Sequence, residues 1–167
     1  KGIYHKCFLP NYSVFDEARY FAKGNNPGKV FWYEDVGVGI SICEDIWIEE
    51  GPSVQQVENG ASLIININAS PYDQNKTDLR KELVVNQARK LDVPIIYLNM
   101  VGGQDELVFD GGSFVVDGKG EILYQAKQFE EEVFYIDLDL EVKEQPKGSI
   151  LEIRQKGSEL NPLQSAQ

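Results

Sequence analysis

Cys43 closes the run Val36-Gly-Val-Gly-Ile-Ser-Ile-Cys43 and is followed at once by Glu44, Asp45 and, two residues on, Trp47. If the run is a strand, successive side chains point to opposite sides. Val36, Val38, Ile40 and Ile42 then share one apolar face, while Gly37, Gly39, Ser41 and Cys43 share the other. The cysteine's face is stripped bare, and a nucleophile at a strand end needs open space in front of its sulfur for a substrate carbonyl. The chemistry suggested is covalent catalysis by a thiol. The rival reading is an ordinary buried cysteine, the commoner fate of that residue type. Cys7 has no open face and reads as packing. His5 is the sole histidine, and in an extended stretch it would point away from Lys6, so it reads as structural and not as half of a Cys-His pair.

Composition limits what such a thiol can serve. The chain has 167 residues, 42% hydrophobic and 26% charged, enough for one domain with a sizeable core. A formal net charge of -11 argues against a phosphate backbone as partner, because counterion release requires a basic face. No apolar run approaches the roughly 20 residues of a bilayer span, and no signal peptide is visible, so a cytoplasmic protein is expected. The two cysteines read as thiols, and with one histidine they make no convincing metal set. Lys1-Gly-Ile-Tyr4 lacks an initiator Met and reads as the end of a strand already under way, so the sequence is expected to be truncated at its N-terminus.

The elements that must position Cys43 alternate along the chain. Val30-Phe-Trp-Tyr33 and the Val36 to Ile42 strand are split by Glu34-Asp35, which predicts an antiparallel step. A short helix is expected over 53–59 and a buried strand over 62–67, ending in the turn-forming Asn68-Ala-Ser-Pro-Tyr72. Leu79, Leu83, Val84, Ala88 and Leu91 recur at helical spacing, with Asn75 or Thr77 as cap and Pro94 beyond the end. Pro94-Ile-Ile-Tyr-Leu-Asn99 reads as a further buried strand, residues 100–112 as a glycine-rich loop, and 113–116, 121–125 and 133–138 as strands, with a hairpin turn at Asp117-Gly-Lys-Gly120. Residues 1–140 form the expected domain, and 141–167 a polar arm or linker.

Tyr4-His-Lys-Cys-Phe-Leu-Pro-Asn-Tyr12, Val14-Phe-Asp-Glu17 and Gly39-Ile-Ser-Ile-Cys-Glu-Asp-Ile-Trp47 resemble the lysine and cysteine motifs of the carbon-nitrogen hydrolase (nitrilase) superfamily. Asn66-Ile-Asn-Ala-Ser-Pro71 with Lys76 and Arg80, and the stretch from Asn99 to Ser113, are similar to its later signatures. The wording is closest to one branch, the glutaminase domain of glutamine-dependent NAD synthetases. That resemblance implies an α/β fold, the α-β-β-α sandwich, and a Glu-Lys-Cys triad. Cys43 is then the nucleophile. Lys6 supplies an ammonium that favours the thiolate and, with the backbone N–H of Glu44, holds the oxyanion. Glu17 matches a second glutamate thought to orient the lysine and water, although beside Asp16 it reads equally well as half of a solvated acidic pair. The general-base glutamate precedes the lysine motif in the family and has no counterpart here. Tyr12, Trp47 and Ser70 fall where the branch lines its glutamine pocket, with core packing as the rival reading for the two aromatics.

The resemblance further implies glutamine as substrate, no cofactor for the glutaminase step, and an ammonia-accepting synthetase domain that uses ATP. That domain's Ser-Gly-Gly nucleotide loop has no counterpart in this sequence. Family members usually associate, so a homo-oligomer is expected. Two other readings stay open: a freestanding amidase of the same superfamily acting on another small amide, nitrile or carbamoyl compound, and a non-catalytic remnant of the fold.

Overall fold

The computed structural model describes residues 2–143. In chain order these form α1 (Glu17–Tyr20), β1 (Val30–Tyr33), β2 (Val36–Ile42), a 3-10 turn (Cys43–Trp47), α2 (Pro52–Glu58), β3 (Leu63–Asn68), α3 (Lys76–Leu91), β4 (Ile95–Asn99), β5 (Val101–Gln104), β6 (Leu107–Asp110), β7 (Phe114–Val116) and β8 (Ile122–Gln125). Six strands make one sheet in the order β1-β2-β3-β4-β7-β8, and β5 with β6 makes a separate ribbon. The centre is parallel, β2 against β3 and β3 against β4, because α2 and α3 carry the chain back between those strands. The flanking strands β1, β7 and β8 pair antiparallel.

Helices and sheet meet on one face. Val84 and Ala88 of α3 and Ile46 of the 3-10 turn pack with Ile64, Ile95, Tyr97, Phe114 and Val116 from alternate strand positions. The i, i+4 spacing of Val84 and Ala88 turns one stripe of α3 inward. Its start at Asn75 carries no side-chain cap bond, and its end at Asp92 is left-handed, with φ of 52°. On the opposite sheet face Ile40, Ile42, Ile65 and Ile96 are half-buried, and Ile67 and Leu98 are exposed. The N-terminal segment lies over the end of that face nearest Cys43, where residues of both line one cavity.

Four expectations need correction. The glycine face of β2 is not open: Gly37, Gly39 and Ser41 are its buried positions. A Cβ on Gly37 would lie 2.4 Å from the Gly60 carbonyl oxygen, and one on Gly39 would lie 2.5 Å from Gln56 and Ile64 side-chain atoms. The glycines therefore serve close approach of α2 and the turn after it. Residues 100–112 are not a loop but the β5–β6 hairpin, turning through Asp105 with φ of 54°. The stretch 133–138 is no strand: Phe134, Ile136 and Leu138 are half-buried and Val133 and Tyr135 exposed in strand-like alternation, but no neighbour among the described residues pairs with them. Residues 2–4 are likewise no strand end. Of the proposed arm, Glu141 accepts a hydrogen bond from the Ser62 hydroxyl at 2.5 Å, and 144–167 lie outside the described residues.

Gly37→Ala is expected to lower stability by about 1–3 kcal/mol, the cost of overpacking against backbone that cannot yield. Urea denaturation checks this, and an unchanged midpoint would contradict the close-approach role.

Candidate active site

The sheet delivers Cys43 to the cavity by a backbone reversal. Ile42 is extended, whereas Cys43 has φ of 47°, a left-handed conformation that costs a non-glycine residue on the order of 1–3 kcal/mol. The reversal takes the cysteine off the glycine face and sets it with Ile42, Ile67 and Leu98 of the opposite face in the wall of a cavity of about 760 Å³. The backbone N–H of Glu44 reaches the cysteine sulfur.

Lys6, Glu17 and His5 enter the same cavity from the N-terminal segment. The Lys6 ammonium donates to both carboxylate oxygens of Glu17, at 2.6 and 2.8 Å. Both residues are largely shielded from water, at 12% and 24% exposure, so the pair is stronger than a surface salt bridge. Glu17 is therefore no solvated acid. The loop carrying it closes where Gly24 N–H donates to the Lys6 carbonyl at 2.8 Å. Only glycine fits there, since a Cβ on Gly24 would lie 2.2 Å from the His5 carbonyl oxygen.

The thiol's electrostatics differ from expectation. Burial pushes the Cys43 thiol up, and the charges of Glu17 and Glu44 push the same way; the Lys6 ammonium and the Glu44 N–H pull it down without overcoming burial. The site holds a neutral thiol beside a cation, not a preformed thiolate. Above it the Tyr12 hydroxyl donates to Glu44 Oε2 at 2.8 Å. Burial first, then that hydrogen bond, pushes the Tyr12 phenol up to about 12. The charge of Glu17 also reaches this hydroxyl.

The seven residues read from the sequence thus divide. Cys43, Lys6 and Glu17 meet in one cavity, with the Glu44 N–H on the sulfur and Tyr12 bonded to the Glu44 carboxylate. Trp47 packs against the core cluster and does not line the cavity. Ser70 is buried and faces away: Arg80 Nη2 donates to its carbonyl and hydroxyl oxygens at 3.0 and 3.2 Å, and its N–H donates to Asn99. Its neighbours Asn68 and Ala69 line the cavity in its place. His5, which reads as structural, lines it as well.

Sequence reading passed over two supporting networks. Arg80 and Asp110, 3% and 1% exposed, are paired with Nη1 at 2.8 and 3.0 Å from the two carboxylate oxygens. Asn99 and Gln128 also donate to Asp110, so one buried cluster ties α3, the Ser70 turn and β6 together. Asp45, fully buried beside the cysteine, is the second. Its signal was an acid set between Ile42 and Ile46, a position that demands donors. Among the described residues no group of three or more His, Cys, Asp or Glu is placed to hold a metal, and no helix is long and apolar enough to cross a membrane.

A strained cysteine elbow facing a lysine-glutamate pair, on a mixed sheet with α2 and α3 to one side, defines a class of hydrolase. The chain belongs to the carbon-nitrogen hydrolase family, whose model matches residues 1–147. It is 49% identical over 144 residues to the glutamine-dependent NAD(+) synthetase of Thermotoga maritima, covering 84% of this chain and 24% of that one. The solved glutamine-dependent NAD+ synthetase of Acinetobacter baumannii, in complex with ADP, superposes with a TM-score of 0.74 at 44% identity, over 78% of this chain and 24% of that one. A variant of the nitrilase-superfamily amidase of Nesterenkonia sp. AN1 matches with a TM-score of 0.62 at 26% identity, over 74% and 45% of the two chains. That protein carries the acetamide moiety of fluoroacetamide covalently on its active-site cysteine. The chain spans about a quarter of the length of the curated synthetases it matches.

Two outcomes are expected. Alkylation of Cys43 by a small neutral reagent should rise with pH and level off only above the ordinary cysteine range near about 8.5, because the raised thiol ionises late; a plateau below about pH 7 would contradict the balance described. Asp110→Asn should cost about 3–5 kcal/mol in chemical denaturation by leaving a buried guanidinium unpaired, and a loss below about 1 kcal/mol would show the cluster to be dispensable.

Proposed function

We propose that this chain is the glutaminase portion of a glutamine-dependent NAD(+) synthetase. The observation that carries the reading is the meeting of Cys43, Lys6 and Glu17 in one cavity at a strained strand end. Synthetase relatives at 41–49% identity support the branch, and the covalent adduct on the Nesterenkonia amidase's cysteine supports the role of Cys43.

In this mechanism the Cys43 sulfur attacks the side-chain carboxamide carbon of glutamine and the thiol proton is passed on to the amide nitrogen. The carbonyl oxygen becomes an oxyanion held by the Lys6 ammonium and the Glu44 N–H. Collapse of the tetrahedral species breaks the C–N bond, ammonia leaves with the proton the nitrogen has gained, and a glutamyl thioester remains on Cys43. Water then adds to the thioester and releases glutamate, regenerating the thiol. Glu17 is committed to Lys6 and is the sole carboxylate lining the cavity among the described residues. We therefore assign it to holding the ammonium, and place the water-activating base on a separate glutamate, as the family resemblance implies. Ammonia passes to an ATP-dependent synthetase domain that amidates nicotinic acid adenine dinucleotide; the glutaminase step itself uses no cofactor. The working enzyme is a cytoplasmic homo-oligomer.

Incubating the 167-residue chain with glutamine at pH 9 and quenching in acid is expected to trap a glutamyl thioester on the Cys43 peptide, seen by mass spectrometry, with glutamate release far slower than thioester formation. A glutamine-mimicking diazo-ketone should label the same peptide. No adduct at Cys43 with either reagent would sink the glutaminase reading, and rapid steady turnover by this chain would sink the assignment of the base.

A further inference from the structure

We infer that Asp45 is the positioning residue that sets the Lys6 ammonium against the Cys43 sulfur, a role that rests on reading Cys43 as the nucleophile. Its carboxylate is fully buried and accepts four hydrogen bonds. Oδ1 takes the backbone N–H groups of Cys7 at 3.0 Å and Phe8 at 2.9 Å, directly after Lys6. Oδ2 takes the Ile42 N–H at 3.0 Å, directly before Cys43, and the Tyr4 hydroxyl at 2.9 Å. One side chain thus grips the residues flanking both reactive groups, across 37 to 41 positions of sequence.

The donors explain the residue type. Three are backbone N–H groups with no second way to orient, and the fourth is a phenol that burial holds protonated. A carboxylate presents acceptors on both oxygens, whereas an asparagine of the same size would turn its own N–H groups against at least one backbone N–H donor. The lysine segment has no strand or helix of its own over residues 2–16, so its placement depends on the Asp45 bonds that flank Lys6, with the Gly24 bond to the Lys6 carbonyl, the Lys6–Glu17 pair and the Tyr12–Glu44 bond beside them. Leaving the clamp strands a buried acceptor, which makes the register of the lysine against the cysteine a single state and not a range of positions.

A purely structural Asp45 would lower stability but leave the lysine's effect on the thiol intact in whatever fraction remains folded. The experiment is a double-mutant cycle read by chloroacetamide alkylation of Cys43, which needs no glutamine recognition and so stands or falls apart from the glutaminase reading. In the otherwise unaltered chain Lys6→Met should slow alkylation about tenfold, the equivalent of one pKa unit. In the Asp45→Asn chain, shown to be folded by circular dichroism, the same substitution should slow it less than about twofold, because the ammonium is no longer held at the sulfur. A full tenfold effect in the Asp45→Asn chain would overturn the inference. Should Asp45→Asn fail to fold, amide exchange in the unaltered chain decides: the Cys7 and Phe8 N–H groups should exchange as slowly as those within β2, and exchange as fast as at residues 22–23 would overturn it.

Discussion

A buried carboxylate joins two pieces of chain through four hydrogen bonds, beside a single bond from Tyr12 to Glu44. The strand leading into Cys43 belongs to the sheet; the segment bearing Lys6 belongs to no sheet or helix before α1. Asp45 connects them through four hydrogen bonds, and a buried acceptor that loses its donors has no water to replace them. The ion pair between Lys6 and Glu17 is built on this connection, because the loop carrying Glu17 begins and ends at the backbone Asp45 grips. Sheet, clamp, loop and cation thus form a sequence of dependence that ends at the sulfur.

At the sulfur two electrostatic effects oppose each other. Burial in a wall of Ile42, Ile67 and Leu98 disfavours the thiolate, and the ammonium favours it. Burial prevails and holds the thiol above its ordinary range. On the proposed reading, such a site suits a reaction in which charge appears on the substrate oxygen at the moment of attack, with the Lys6 ammonium and the Glu44 N–H as the groups assigned to receive it. The left-handed backbone at Cys43 and the paired Arg80 and Asp110, which hold Asn99 of the cavity wall, are the strained and the rigid parts of the same scaffold.

Much of this could be read from residue types. Alternation in β2, the split at Glu34-Asp35 and the helical spacing from Leu79 to Leu91 marked their elements, since each buries one face against a neighbour. The β5–β6 hairpin was hidden because glycines at 102, 103, 111 and 112 erase side-chain alternation while the backbone still pairs. The bare face of β2 was legible, but not its purpose: a missing side chain admits a helix as readily as a substrate, and only the position of α2 decides. That Cys43, Lys6 and Glu17 share one cavity was legible through motif and adjacency. Trp47 and Ser70 were not separable from core residues, because the direction of a side chain leaving a turn depends on backbone angles that no spacing encodes. The upward shift of the thiol was invisible for the same reason, since it follows from burial, a property of the whole fold.

The central claim is that the Lys6 ammonium acts directly on the Cys43 sulfur. Thiolate absorbance in the ultraviolet, followed from pH 6 to 11 with Cys43→Ser as the blank, measures that action without substrate or reagent. The claim requires the Cys43 titration midpoint to rise by about one pH unit when Lys6 becomes methionine. An unmoved midpoint would mean that the ammonium, however close, does not act on the thiol.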